Sequence, residues 1–215
     1  MDSIGVGSMP IVVLTGFFTG CVLALQSATS LEAFGSVSLT GNLVALSMVK
    51  ELGPVLTGLM VSGRNASGMA SEIGSMKVTE QIDAMRALGT DPVRKLVTPR
   101  VYATVFMLFF LTIVSDAVGI AGGARVSVTL MGLYASSYFH NSYRALQYGD
   151  VVQGLTKPLF SGFIIATVGC FFGMTTKGGT QGVGKATTQA VVYSSVFIII
   201  VDFIVSHAMI GIFGR

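Results

Sequence analysis

Charged residues are scarce in this sequence. Only 11% of its 215 residues are Asp, Glu, Lys or Arg, and the mean hydropathy is +0.76, whereas a soluble domain carries about 25% charged residues. This composition excludes an ordinary soluble domain and indicates a polytopic membrane protein with little soluble mass. The formal net charge of +3 does not suggest nucleic-acid binding, because in such a protein the placement of Lys and Arg matters more than their total.

Tryptophan is absent and cysteine is rare. Trp often anchors membrane spans at the interface, a role that Tyr and Phe can fill. Cys21 and Cys170 each lie in an apolar stretch, so we interpret them as small buried hydrophobic residues rather than a disulfide or a metal pair. His140 and His207 are far apart, and no His, Asp or Glu cluster has metal-ligand spacing. We therefore expect no catalytic site, no metal and no cofactor in this chain.

Long apolar stretches are the dominant pattern. A helix needs about 20 apolar residues to cross the hydrocarbon core, and five stretches have that length. They predict an all-α polytopic membrane protein with one domain over residues 1–215. No signal peptide is expected, because residues 1–9 contain no Lys or Arg and no small-residue cleavage site. The predicted spans are 9–31, 40–64, 100–121, 155–175 and 189–213.

Basic residues are concentrated in two of the four connections. The second (65–99) and fourth (176–188), counted with Arg64 and Arg100 at the edges of the second, hold eight Lys and Arg residues, whereas the first (32–39) holds none. Lys and Arg favour cytoplasmic loops, so these two connections are predicted to be cytoplasmic. The N-terminus is then cytoplasmic and the C-terminus periplasmic.

The second stretch contains an unexpected pair of charges, in the sequence MVKELGPVL. Each charge deep in a bilayer costs at least about 2.5–3.5 kcal/mol. Lys50 and Glu51 cannot simply neutralise each other, since neighbours on a helix point about 100° apart. Each therefore needs a partner elsewhere or a wet cavity, and Pro54 predicts a kink and a freed carbonyl nearby.

A cavity that offers one cation and one anion suits a zwitterionic or anionic head group, so a functional role is favoured over structural pairing for these two residues. Gln26, late in the first span, is a further candidate cavity residue. Asp116 and Asp202 also lie in apolar surroundings. For them we favour interhelical hydrogen bonding over a proton relay, because no chain of titratable neighbours is apparent.

The second connection contains a short amphipathic pattern. Val78, Ile82, Met85 and Leu88 fall on one helical stripe, and Gly89 ends it. One interpretation is an interfacial helix that lies on the bilayer, and the other is a helix that docks on a soluble partner. The residues alone do not choose between these interpretations.

Two glycine patterns have a structural and a functional reading. GTQGVGK at 179–185 fits a phosphate loop, but Ala186 stands where Ser or Thr is needed, so a glycine-rich turn is favoured and any ATP must bind to another chain. Three pairs have GxxxG spacing and favour packing inside the bundle over a homodimer contact. They are Gly16/Gly20, Gly119/Gly123 and Gly169/Gly173, and the row Ala66, Ala70 and Gly74 resembles them.

Residues 51–101 strongly resemble the MlaE (YrbE) permease family. They contain ELGPV, then SGR, then SEIGSMKVTEQID, then GTDP followed by PR. LALQ at 23–26, LVALSMVKEL at 43–52 and KATTQAVVYSS at 185–195 extend the likeness over essentially the whole chain. Family members usually carry a few dozen more residues before the first span, as an interfacial helix, so we expect that element to be missing or trimmed here.

The resemblance implies a homodimeric permease core of an ABC lipid transporter. Its partners would be a second copy, cytoplasmic ATPase subunits that bind ATP and Mg, a STAS-domain protein and a periplasmic hexamer of MCE-domain chains. Its substrate would be phospholipid, moved between the inner and outer membranes of Gram-negative bacteria. The alternative is an ABC exporter core for another hydrophobic solute, such as a solvent or a sterol-like molecule. A lipid-modifying enzyme and a purely structural subunit are the remaining classes.

The resemblance also implies two sets of site residues. The lipid pocket would lie at the dimer interface, and matching the motifs places there Leu23, Gln26, Leu31, Phe34, Lys50, Glu51 and Leu52. A coupling helix over residues 75–89 would dock on the ATPase. Its predicted contact residues are Lys77, Glu80, Gln81, Ile82, Asp83, Met85 and Arg86.

Overall fold

The computed structural model describes the backbone of residues 5–213 and the side chains through residue 211, and within that range the chain is helical without a β-strand. Five stretches of the described residues are long and apolar enough to cross a membrane. The predicted all-α polytopic membrane fold is therefore confirmed. The five stretches are Val6–Glu32, Val37–Val78, Val93–Met131, Tyr148–Met174 and Gly179–Gly211.

The α-helices are numbered in chain order. They are α1 (Met9–Glu32), α2 (Thr40–Ser47), α3 (Gly53–Val61), α4 (Ser67–Val78), α5 (Gln81–Ala87), α6 (Thr98–Met131), α7 (Ala135–Ala145), α8 (Tyr148–Met174) and α9 (Gly179–Phe213). Short 3₁₀ segments precede α1 and α2, and π-helical segments precede α3, α4 and α6.

The helices extend well beyond the predicted spans. The second continues to Val78 rather than ending near residue 64, and the third continues to Met131 rather than ending near residue 121. Hydropathy marks the apolar part of a helix, whereas the backbone hydrogen bonds continue through polar residues. One polar pair contacts the extension of the second helix, since Arg100 at the start of α6 lies 2.9 Å from the carboxylate of Glu72 on α4.

The predicted third connection, 122–154, contains an additional helix, α7. Its sequence is polar, so hydropathy did not reveal it. Asn141 donates a hydrogen bond of 2.9 Å to the carbonyl of Ser38, and Ser142 donates one of 3.1 Å to the carbonyl of Gly41. Tyr138 lies on the buried face of α7, and its burial raises the pKa of its hydroxyl to about 12. Tertiary contact with α2 therefore holds α7 in place.

The segment GTQGVGK is helical rather than a turn. The change of direction comes earlier, because Gly178 and Gly179 have φ values of 91° and 69°, which residues with a Cβ rarely adopt. Helix α9 begins at Gly179 and includes the remainder of the motif. The expected glycine-rich turn is therefore wrong for residues 180–185.

The chain forms two compact units, each assembled from separate parts of the sequence. Unit 1 contains Gly58–Phe109, Pro158–Ile204 and the described residues before Met9, and unit 2 contains Met9–Thr57, Phe110–Lys157 and the described residues from Val205 onward. The prediction of one domain over residues 1–215 stays a prediction, and it includes residues 1–4 and 214–215, which lie outside the described residues.

Small residues bring the helices of unit 1 together. A Cβ on Gly169 would lie 3.0 Å from the carbonyl oxygen of Ala66, and one on Gly173 would lie 2.7 Å from Cβ of Ile73. A Cβ on Gly74 would lie 2.9 Å from the hydroxyl oxygen of Thr176. The predicted packing inside the bundle is thus confirmed for this glycine pair and for the row on α4.

Unit 2 uses the same device. A Cβ on Gly16 would lie 2.9 Å from the carbonyl oxygen of Ser115, and one on Gly20 would overlap the backbone of Gly119. A Cβ on Gly123 would lie 2.6 Å from the hydroxyl oxygen of Tyr138. These glycines pack α1 and α7 against α6, which confirms the prediction for the other two pairs.

Candidate functional site

The two charges in MVKELGPVL lie in a widened helical turn. Residues Met48–Leu52 form a π-helix, and the N–H of Gly53 donates to the carbonyl of Met48, five residues back. Pro54 follows this turn and has no N–H of its own, so the regular hydrogen-bond ladder could not have continued through it. A π-helical turn therefore precedes Pro54, and the kink predicted there stays a prediction.

Glu51 is bonded on several sides by residues of unit 2. Lys157 Nζ donates to Oε2 at 2.5 Å, Gln153 Nε2 lies 3.4 Å from Oε1, and the hydroxyl of Ser206 donates to Oε1 at 3.1 Å. The Lys157 side chain is 1% exposed, whereas that of Glu51 is 45% exposed. The cation is thus sealed inside the unit and its carboxylate partner is accessible.

Lys50 is paired with the beginning of α8. Its Nζ lies 2.9 Å from Oδ1 of Asp150, and Oδ2 of Asp150 accepts the backbone N–H of Gln147 at 3.0 Å. The prediction that each charge needs a partner elsewhere is confirmed for both residues. Asp150 and Lys157 are seven residues apart, two helical turns, so one face of α8 supplies both partners.

The partners on α8 were missed in the sequence analysis, where residues up to 154 were assigned to a connection. A signal existed, since Asp150, Gln153 and Lys157 recur at steps of three and four along an otherwise mainly apolar helix. Ser206 carried no such signal, because nothing in the sequence relates it to Glu51.

Asp116 lies on α6 against the π-turn. A Cβ on Gly53 would overlap its carboxylate, so a larger residue at that position would require Asp116 to move. Oδ1 of Asp116 is buried and accepts no hydrogen bond within the described residues, so the interhelical bond expected for this residue is absent at that atom. Asp202 lies on α9, and its predicted interhelical bond stays a prediction.

An open groove of about 320 Å³ lies along α1. Its lining includes three of the predicted lipid-pocket residues, Leu23, Gln26 and Leu52. Three further residues complete its lining: Phe18, Thr19 and Val22. The opposite, buried face of α1 repeats small residues every four positions, so close packing on that face directs the large side chains outward.

The remaining predicted pocket residues do not line this groove. Lys50 and Glu51 face α8, as described above. Leu31 lies in the last turn of α1, and Phe34 follows in the next turn with 81% of its surface exposed. The structure therefore divides the seven residues into a groove, an ion-pair cluster and an exposed helix end. Among the described residues, no three His, Cys, Asp or Glu side chains come together as a metal site.

The chain matches the family model for Permease MlaE over residues 1–208. This chain belongs to the MlaE permease family. The family comprises ABC transporter permeases, so the chain is a membrane component of a transporter. Among its relatives, a probable ABC transporter permease protein of Rickettsia typhi is 41% identical over 96% of this chain and 80% of its own length.

Two other relatives have more specific names. The intermembrane phospholipid transport system permease protein MlaE of Haemophilus influenzae is 35% identical over 98% of this chain and 81% of its own length. The chloroplastic protein TRIGALACTOSYLDIACYLGLYCEROL 1 of Arabidopsis thaliana is 38% identical over 96% of this chain and 59% of its own length.

Residues 75–89, predicted to be a single coupling helix, do not form one continuous helix. Helix α4 ends at Val78, and α5 begins at Gln81. Glu80, between them, has a φ of 61°, in the left-handed region that breaks a helix. The hydroxyl of Thr79 donates 2.9 Å back to the carbonyl of Ser75 and so caps the end of α4.

The side chains of this segment have distinct environments. Lys77 lies 2.7 Å and Arg86 3.2 Å from the carboxylate of Asp83, and the hydrogen bond from Lys77 lowers the pKa of Asp83. Ile82 is fully buried, whereas Leu88 is 83% exposed. Of the other predicted contact residues, Met85 is half-buried, and Glu80 and Gln81 are exposed.

Proposed function

We propose that this chain is the permease through which an ABC transporter moves phospholipid between the inner and outer bacterial membranes. The observation that carries the proposal is the groove on α1. Close packing of the small face of α1 leaves Phe18, Val22 and Gln26 on its outer face, with Leu23 and Leu52 beside them. An apolar groove with one amide suits an acyl chain and the start of its polar region.

The groove is open, and a second copy of the chain is the partner that would complete it. Four further α1 residues have large exposed apolar side chains, which is expected of a face that contacts lipid or another membrane helix. They are Met9, Ile11, Leu14 and Leu25. The proposed core is therefore a homodimer with the lipid between the two copies.

The ion-pair cluster supplies the polar part of the proposed mechanism. The carboxylate of Glu51 remains accessible although it bonds Lys157, so it could accept the ammonium of a lipid head group. Lys50 is partly exposed beside Asp150 and could approach the phosphate. Ionisable side chains in spans commonly mark substrate paths, and here they are held by α8 in fixed positions.

The remaining partners are proposed from the family and from the shape of the coupling segment. A cytoplasmic ATPase would bind ATP and Mg and act on the α4–α5 turn, with its STAS-domain protein attached. A periplasmic ring of MCE-domain chains would exchange the lipid. The basic residues of the second and fourth connections favour a cytoplasmic position for this turn, so the N-terminus would be cytoplasmic and the C-terminus periplasmic. The name of the Haemophilus relative supports the substrate.

A groove-filling variant tests the proposal. Val22→Trp places an indole in the groove, and the transporter reconstituted with its ATPase and MCE partners should transfer phospholipid at least about tenfold more slowly, equivalent to ~1.4 kcal/mol. Val196→Trp is the matched control, because Val196 is a valine of similar exposure on α9 and does not line the groove. Unchanged transfer by Val22→Trp would overturn the proposal, and lipidomics that finds only a non-phospholipid solute would favour the alternative exporter.

A further inference from the structure

A second apolar groove lies in unit 1, between α8 and α9. Its volume is about 480 Å³ and aromatic side chains dominate its lining. The rings of Phe172 and Tyr193 are 5.2 Å apart and form one wall. The complete lining is Thr167, Val168, Phe171, Phe172, Tyr193 and Phe197. None of these residues lines the groove on α1.

This apolar groove adjoins a cationic cleft, since the two share one lining residue. Phe172 also lines a neighbouring cavity of about 180 Å³, whose other walls include Lys177 and Lys185. Thr175, Thr176 and Gln189 add hydroxyl and amide groups. Among the described residues that line this cleft none is acidic, so its net charge is positive.

The two lysines of the cleft flank the turn between α8 and α9. Lys177 precedes the left-handed residues Gly178 and Gly179, and Lys185 lies in the second turn of α9. A Cβ on Gly182 would overlap the carbonyl of Lys177, so the first turn of α9 lies directly against the connection. The motif that resembled a nucleotide phosphate loop therefore forms the wall of a cleft at the end of a membrane helix, where α9 adds the positive end of its dipole.

We propose that the α8–α9 groove and cleft together bind an anionic phospholipid, with its phosphate between Lys177 and Lys185 and an acyl chain along Phe171, Tyr193 and Phe197. Basic pockets between membrane helices are known to hold lipid head groups, and each Lys near the surface contributes roughly a fivefold preference for an anionic lipid. A soluble phosphate compound would leave the aromatic groove unfilled. A zwitterionic lipid would fill it without using the net charge of the cleft.

The absence of Trp from the chain makes a direct measurement possible. Phe171→Trp gives the full-length chain a single tryptophan, which lies in the groove and can be excited selectively over tyrosine. The variant is reconstituted in vesicles that contain brominated phosphatidylglycerol or brominated phosphatidylcholine at the same mole fraction. We expect phosphatidylglycerol to quench more strongly, with an apparent binding constant roughly fivefold to twentyfold higher. Adding Lys177→Gln and Lys185→Gln should abolish the difference.

Two matched variants separate a site from general attraction. Phe163→Trp reports from another exposed position on α8 outside the groove, and it should show no preference between the two lipids. Arg94→Gln with Lys95→Gln removes two exposed charges away from the cleft, and it should retain the preference at residue 171. Equal quenching by both lipids at residue 171, or the same preference at residue 163, overturns the proposal.

Competition identifies the source of the phosphate. Inorganic phosphate or ATP in solution should leave the quenching unchanged, and reversal by either would replace the lipid with a soluble ligand and overturn the proposal. The measurement needs neither ATP hydrolysis nor a partner chain. Its failure would leave the proposed transport untouched, and failure of the transfer assay with Val22→Trp would leave this lipid site untouched.

Discussion

Lys157, whose side chain is 1% exposed, donates a hydrogen bond of 2.5 Å to the carboxylate of Glu51, whose side chain is 45% exposed. A buried ammonium is tolerated only when it is paired. The carboxylate of Glu51 therefore stabilises the buried charge of Lys157 inside unit 2. Because its carboxylate is also accessible, the same residue could meet a lipid head group. The proposed lipid contact would then be combined with a structural role in one side chain.

Glu51→Gln should destabilise the protein by about 3–5 kcal/mol, because it removes the carboxylate from a buried cation. The double variant Glu51→Gln with Lys157→Met should lose less, since it also removes the charge. Denaturant unfolding in detergent measures both. Glu32→Gln, at the exposed end of α1, is the control and should change stability by no more than ~0.5 kcal/mol. Equal losses in the single and double variants would contradict the pairing.

Gly20→Ala should destabilise by about 1–3 kcal/mol, because the added methyl would overlap the backbone of Gly119, which cannot move as a side chain can. Gly68→Ala is the matched control on α4, where nothing lies within 4 Å of the new Cβ. It should stabilise by roughly 0.5–1 kcal/mol through helix propensity. Thermal unfolding of the two variants in the same detergent checks the difference, and similar midpoints would count against close packing at Gly20.

The turn between α4 and α5 should loosen in acid. The hydrogen bond from Lys77 lowers the pKa of Asp83 below its ordinary value of 3.8, so the ion pair is fully present above 3.8 and is lost as the pH falls through the lowered value. Amide hydrogen exchange of residues 79–87, corrected for its intrinsic pH dependence, should stay constant down to about pH 4 and rise below it.

Asp83→Asn separates this effect from general acid unfolding. The variant should show the loosened exchange already at neutral pH and little further change in acid. Glu80→Gln keeps the Lys77–Asp83 pair and should follow the unmodified protein. If Asp83→Asn exchanges like the unmodified protein at neutral pH, the ion pair does not hold the turn.

Leu88→Ser should weaken attachment of the ATPase without lowering the melting temperature, because Leu88 is exposed beside the proposed docking turn. Loss of that apolar contact should reduce ATPase co-purification by roughly tenfold, or ~1.4 kcal/mol. Val93→Ser, another exposed apolar residue nearby, is the control and should retain the ATPase.

Ile82→Ser should behave differently from Leu88→Ser. Ile82 is fully buried within unit 1, so its loss should lower the melting temperature whether or not the ATPase is present. ATPase attachment that survives Leu88→Ser and fails only with Ile82→Ser would place the docking surface elsewhere.

The break within the proposed coupling segment, residues 75–89, shows where a sequence pattern stops being informative. The stripe of Val78, Ile82 and Met85 is compatible with one continuous helix, yet Glu80 adopts a left-handed conformation that interrupts it. Glu has no special preference for that conformation, so periodicity alone does not predict the break. The ion pairs of Asp83 and the burial of Ile82 stabilise it.

Composition and hydropathy determined the membrane location, the helical class and the number of spans, because about 20 apolar residues are needed wherever a helix crosses hydrocarbon. The cost of charge in that setting also showed that Lys50 and Glu51 must have partners. Only the tertiary structure decided that α8 supplies Asp150 and Lys157 as the partners of Lys50 and Glu51. The same holds for the packing of the glycines against helices of the same chain and for the existence of α7. Those outcomes depend on contacts between residues about 100 positions apart, and no local pattern encodes which distant side chain will be opposite.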